Sequence, residues 1–332
     1  MSQPTPRPLA PNDSLPPVEP PSAGFLVQLF LVPAIIVSII VCVWLAFHWL
    51  AHLGNDPQAY VRTLRRSNEG RWQAALNLAN DLRGPGGAAL KNDDSLADEL
   101  GQILSEEVTS GRSGEQSETL RLYLCRALGE FTIPTAAGPL IEQAERVADP
   151  QTSRAAVEAL AVLTTNLLAA GRAAEAPAGI VPAVVTASRS DNAPLRGSAA
   201  FTLGVLGGDE AVERLVQLVA DDTNDVRYNA AIGLARQGRD EAVDTLVEML
   251  TLEDIAPPPG RDDPAAQSQR YKRALVVINA LRGVAALVDA TSTPPPSLVI
   301  DRIEALRQDP VGDVRTSAAA LLTKIERLRK AA

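Results

Sequence analysis

Few residues in this chain have the type and spacing to do chemistry, and their positions restrict what that chemistry is. The 332 residues include two histidines, His48 and His52, four apart and so on one face of any helix that carries them. Imidazoles at that spacing can share a metal or a haem iron. Beside Trp44 and Trp49, with no neighbouring carboxylate or cysteine, they read instead as part of an interfacial belt at the end of an apolar segment. No histidine follows residue 52, so the rest of the chain lacks the usual base of a nucleophilic pair. The two cysteines, Cys42 and Cys125, have no metal-binding spacing and read as small buried hydrophobes, which excludes a disulfide framework. The glycine clusters Gly84-Pro85-Gly86-Gly87 and Gly204-Val205-Leu206-Gly207-Gly208 lack the pattern of a phosphate loop, and the second falls where a helix should end. The acid pairs Asp93-Asp94, Glu106-Glu107, Asp221-Asp222 and Asp262-Asp263 fall at expected helix ends or loops, and none fits a calcium loop. The expectation is of no enzyme, no cofactor and no metal.

What remains is a pattern of acids. Glu210, Glu213 and Gln217, then Glu241, Asp244 and Glu248, fall on the polar face of two successive helices. If those helices line a concave side, aligned acids would attract a basic segment of a partner protein. A plain solubilising face has the same appearance.

The elements that must position these residues begin with an apolar segment. Residues 1–24 contain Pro4, Pro6, Pro8, Pro11, Pro16, Pro17, Pro20 and Pro21 and are expected to be a disordered tail. From Phe25 to Leu53 there is no Asp, Glu, Lys or Arg. That is long enough for a transmembrane helix, which needs about 20 apolar residues, so contact with the lipid bilayer is expected through residues 25–53. A cleaved signal fits less well, because the preceding segment is acidic and proline-rich and the apolar core is long. Arg62, Arg65 and Arg66 follow the segment, with Arg71 beyond them, whereas only Arg7 precedes it. The positive-inside rule then puts the large C-terminal part in the cytoplasm. Lysine is confined to Lys91, Lys272, Lys324 and Lys330, a bias towards arginine that suggests a bacterium and hence an inner membrane.

The rest of the chain is repetitive. Offset by 31 residues, Arg196 falls on Arg227, Ala199-Ala200 on Ala230-Ala231, Leu203 on Leu234 and Gly207 on Gly238, and Asp209-Glu210-Ala211-Val212 falls on Asp240-Glu241-Ala242-Val243. In each unit a first helix carries a stripe such as Val226, Ala230 and Leu234, with Asp221, Asp222, Thr223 and Asn224 placed to cap it. Gly238 permits a left-handed turn, and a second helix buries Val243, Leu246, Val247 and Leu250. Looser copies centre on Arg121, Arg154, Arg273 and Arg315. Neither helix can bury all its apolar surface alone, so pairs must stack. The run Asp225-Val226-Arg227-x-x-Ala230-Ala231-x-x-Leu234 with Gly238 and Asp240-Glu241-Ala242-Val243, and the match at Asp313-Val314-Arg315, resembles bacterial HEAT repeats, including those of phycobilisome lyases. The diiron hydroxylases built on this scaffold use His-Glu ligand pairs, which this chain lacks.

The fold expected is all-α: an α-solenoid of stacked antiparallel HEAT-like helix pairs plus one N-terminal transmembrane helix. Atypical pairs would occupy 54–114 and the repeat array 115–332, with a proline-rich insert at 252–264 and a polar capping helix at the C-terminus. With 21 % charged, 46 % hydrophobic and only 4 % aromatic residues, the core must be mostly Ala, Leu and Val. A net charge of −9 argues against a nucleic-acid partner. The function expected is a membrane-anchored scaffold that docks a protein partner. The alternatives are an accessory subunit of a membrane complex held through its transmembrane helix, and an enzyme on a HEAT scaffold.

Overall fold

The computed structural model describes residues 23–52, 57–66, 70–253 and 264–331. The proline-rich tail before residue 23, most of the proline-rich insert and the side chains of His48 and His52 lie outside the described residues. The chain divides into two compact units, Met1–Gly54 and Asn55–Ala332.

In the first unit a single helix, α1, spans Ala23–His52. Its stretch Val27–Phe47, 21 residues long, is exposed on every side, with large apolar side chains such as Phe30, Ile36, Ile40 and Phe47 uncovered. At 1.5 Å per residue this stretch is roughly 31 Å long. Pro33 lies three turns into the helix, so its ring removes one interior backbone hydrogen bond, to the carbonyl of Leu29.

The second unit is helical throughout its described regular elements. Fourteen helices follow in order: α2 Pro57–Leu64, α3 Arg71–Arg83, α4 Asp94–Thr109, α5 Glu115–Gly129, α6 Ala137–Glu145, α7 Pro150–Ala169, α8 Ile180–Ala187, α9 Ala193–Leu206, α10 Asp209–Leu218, α11 Asn224–Arg236, α12 Val243–Leu250, α13 Pro264–Thr291, α14 Ser297–Ala305 and α15 Gly312–Ala331. They form two layers. In one, α3, α5, α7, α9, α11, α13 and α15 pack successively side by side; these are the first helices of the repeats. The second helices α4, α6, α8, α10, α12 and α14 form the other layer, with α2 beside α4. The buried side chains between the layers are overwhelmingly Ala, Leu and Val, and Phe131 is the largest of those fully buried.

The repeat chemistry read from sequence is realised with one correction. Val226, Ala230 and Leu234 are fully buried, and Gly207 and Gly238 both end first helices with positive φ, +67° and +68°. In the second helix Leu246 and Leu250 are buried but Val243 and Val247 only partly so, and Met249 completes the stripe. The N-cap of α11 is Thr223, whose side chain makes no capping hydrogen bond. Asp221, expected as a cap, accepts from the Thr223 backbone N–H at 2.9 Å and otherwise grips Arg196. Side-chain caps occur instead at Asp93, Asp149 and Asn192, each accepting from an N–H three residues on.

The two layers differ in how closely their helices approach. In the first-helix layer a Cβ on Gly204 would lie 2.5 Å from the Gly233 Cα, and one on Gly129 would lie 2.9 Å from the Ala159 carbonyl oxygen. Backbones can touch there because no side chain stands between them. Side-chain amides bind the same helices together: Asn166 donates to the Gly129 carbonyl at 3.1 Å, Asn229 to Gly197 at 3.1 Å and Gln237 to Gly204 at 3.4 Å. On the other side α10 and α12 are only loosely apposed.

Candidate docking surface

The six residues singled out for their charge lie on the second-helix layer and do not form one acidic strip. Glu210, Glu213 and Gln217 project from α10, Glu241 from the 3₁₀ turn before α12, and Asp244 and Glu248 from α12. Glu241 is paired with Arg239 at 2.8 Å. Glu248 accepts from Arg227 at 2.7 Å and from the Tyr228 hydroxyl at 3.0 Å. Burial and then the Glu248 carboxylate push that phenol up to about 12. Gln217 accepts from Arg214 at 2.7 Å. Glu210, Glu213 and Asp244 stand exposed without a partner among the described residues.

Recessed surface lies on the opposite layer, over the first helices. Two adjoining recesses, of about 540 and about 420 Å³, lie over α7, α9, α11 and α13 and share Ser198 and Asn229. The larger has an apolar floor of Ala161, Val162, Phe201 and Val205 with Glu158, Thr165 and Asn166 at its edges. Val162 and Phe201 are large apolar side chains left 39 % and 42 % exposed side by side on this floor, which makes them surface available for contact. The Arg236 guanidinium lies 5.4 Å from the centroid of the Phe201 ring, a cation–π contact that holds both. The smaller recess is more polar and is bordered by Arg154, Asp225, Tyr228 and Asn279. Glu158 accepts from Arg154 at 2.9 Å and from Ser198 at 2.8 Å, so this acid is neutralised within the surface.

The frame that holds this surface is a set of Arg–Asp bridges between repeats. Arg196, Arg227 and Arg315 each donate to the carbonyl six residues back, at Ser190, Asp221 and Asp309. The side chain therefore folds over the helix start and satisfies a backbone oxygen there. Arg196 also makes a two-pronged bridge to Asp221 of the next repeat, at 2.8 and 2.9 Å. Arg273 reaches Asp309 at 2.6 Å and Arg121 approaches Asp149 at 3.6 Å in the same sense. The Arg196 bridge, opposed by burial and aided by the Thr223 N–H, holds the Asp221 carboxyl below the usual carboxylate range. Near the start of the array Glu107 is buried between Arg71 at 2.7 Å, Arg112 at 3.1 Å and Ser117 at 2.6 Å. Burial alone would raise its pKa; the three donors outweigh burial and lower it. Cys125 is fully buried, and burial pushes its thiol up to about 12, far from a reactive thiolate.

The recess went unread in the sequence because its residues are ordinary ones: Ser, Asn, Val and one Phe. The signal that could have found them is positional. Ser198 and Asn229 stand two residues after the repeat arginines, and Phe201 and Ile232 five after, at equivalent places in successive repeats.

The HEAT-repeats family model matches residues 181–256 of the chain, the span from α8 through α12. No curated protein matches the sequence. Among solved structures an engineered protein aligns at 20 % identity, covering 82 % of this chain and 98 % of its own, with a TM-score of 0.33. Human deoxyhypusine hydroxylase aligns at 19 % identity over 82 % of this chain and 96 % of its own, TM-score 0.32. The complex of CpcE and CpcF of phycocyanin lyase from Nostoc aligns at 17 % identity over 81 % of this chain and 94 % of its own, TM-score 0.36. The matched repeats and the two-layer architecture together make this chain an all-α HEAT-repeat solenoid preceded by one long, exposed apolar helix.

Proposed function

We propose that this protein is a membrane-anchored scaffold whose repeat array docks a protein partner on the recessed face of its first helices. The observation that carries the reading is the pair of adjoining recesses over α7–α13, with Val162 and Phe201 exposed on the floor of the larger one. Repeat arrays recognise partners through such extended inner surfaces. The anchor in this reading is α1, whose 21-residue apolar stretch is long enough to cross a bilayer's hydrocarbon core of about 30 Å. With Arg62, Arg65 and Arg66 after it and only Arg7 before it, the array faces the cytoplasm. The array is assigned binding and no catalysis.

The test is a photo-crosslinking residue placed at Ser198 in the full chain, in its native membrane. The reading expects a discrete crosslinked protein that persists when α1 is replaced by an unrelated membrane-spanning helix. Loss of the partner on that replacement would instead make α1 the contact, as for an accessory subunit of a membrane complex. Mass measurement of the mature chain checks the anchor: a product lacking α1 would mean the helix is a cleaved signal.

A further inference from the structure

The charges of the array are sorted by layer. In the second-helix layer α4 carries Asp94, Asp98, Glu99, Glu106 and Glu107 without a base, and α6 carries Glu142 and Glu145 without a base. In the first-helix layer α13 carries Arg270, Lys272, Arg273 and Arg282 against Asp289 alone, and α15 is basic as well. The first-helix layer is thus the more basic one in a chain that is acidic overall, while the charged residues lining the recesses themselves are Arg154, Glu158 and Asp225. The sorting is finest nine residues after the repeat arginines: Arg236, Arg282 and Lys324 occupy the same position on α11, α13 and α15. Lys324 is taken by Asp289 at 2.5 Å. Arg236 and Arg282 are exposed and pair with no carboxylate among the described residues; one lies over Phe201 and the other makes only a 3.5 Å contact to Asn279. Arg236 thus borders the larger recess through Phe201, and Arg282, one helix on, borders the smaller recess through Asn279.

We infer that the recess receives an acidic segment of the partner protein, with one apolar side chain seated on Val162 and Phe201 and flanking carboxylates on Arg236 and Arg282. The inference rests on the docking reading and names the chemistry of its partner. Its sign is opposite to that expected from the acids of α10 and α12. Planar guanidiniums suit carboxylates through paired hydrogen bonds. A nucleic acid fits less well, because two cations are few for phosphate tracking.

The test uses the full chain in nanodiscs and fluorescence anisotropy of labelled peptides of roughly ten residues, long enough at about 3.3 Å each to cross three helices. One probe has Asp and Glu flanking a single Leu, a second has Lys in place of the acids, and a third is single-stranded RNA of similar length. The acidic probe should bind, more weakly as salt rises, and the R236E/R282E variant should lose on the order of tenfold in affinity. Both positions are exposed, and an unchanged melting temperature shows that the variant is folded; R236Q/R282Q substitutes if it is not. Equal affinity of variant and wild type, preference for the Lys probe, or tightest binding of RNA each overturns the inference. Crosslinking from Ser198 separates the two levels. A partner captured equally by wild type and R236E/R282E keeps the docking surface and removes its acidic ligand. No capture from Ser198 or from Val162 removes both.

Discussion

Asp221 links two repeats with one carboxylate. It takes both prongs of Arg196, 25 residues earlier, and the N–H of Thr223 at the start of α11. Its side chain is 11 % exposed and that of Arg196 is 18 % exposed, so solvent screens the pair only partly. Asp221→Ala should therefore cost about 2 kcal/mol, read as a lowered melting temperature or urea midpoint. The pH dependence follows from the depressed carboxyl. Unfolded, the group titrates near pH 3.9; folded, it titrates lower. Its contribution is thus fully present above about pH 5 and is lost as the pH falls through the folded value. The stability gap between wild type and Asp221→Ala should be flat at neutral pH and shrink on acidification. A gap that widened instead would contradict the assignment of the bridge. In the sequence Asp221 reads as a helix cap, because caps are defined by neighbours a few residues away. Its real partner lies a whole repeat back and is visible only once the repeats are stacked. Glu248 was obscured in the same way by Arg227, 21 residues earlier.

At the scale of elements, what could be read from sequence depended on how regular the repeat is. The units at 190–250 announce themselves through a constant offset, and α9 to α12 follow it with their turns at Gly207 and Gly238. The flanking first helices vary in length, from the 13 residues of α3 to the 28 of α13, and an offset comparison blurs there. The recesses over α7, α9, α11 and α13 were not legible, since they depend on how side chains of different repeats come together and not on the polarity of either face. The helix α13 is the sharpest case of composition misleading. It is long and apolar enough to pass for a second membrane span, yet Val277, Ala280, Val284 and Val288 are buried in the array, and its Arg273 bonds to Asp309 and to the Leu252 carbonyl. An amphipathic-in-context core helix needs no lipid. A chain starting at Asn55 should accordingly remain soluble without detergent and show the circular dichroism of a helical array. Its aggregation in aqueous buffer, rescued by detergent, would mean that α13 belongs in the bilayer.

Over the whole array the two layers do different work. The first helices are joined by glycine contacts, amide staples and Arg–Asp bridges, and they present a partly apolar recess with Arg236 over its Phe201. The second helices are acidic and, between α10 and α12, loosely joined. The contact of Gly204 with Gly233 lies between these two sides, and there the backbones of α9 and α11 cannot come closer. Such a contact is a fulcrum. A guest wedged into the recess on one side of it must swing the helices on the other, so α10 and α12 should shift in separation when the recess fills. Spin labels at Val216 on α10 and Asp244 on α12 would register that movement as a changed distance between them. The acidic layer that docks nothing in our reading would then be the dial on which occupancy is read.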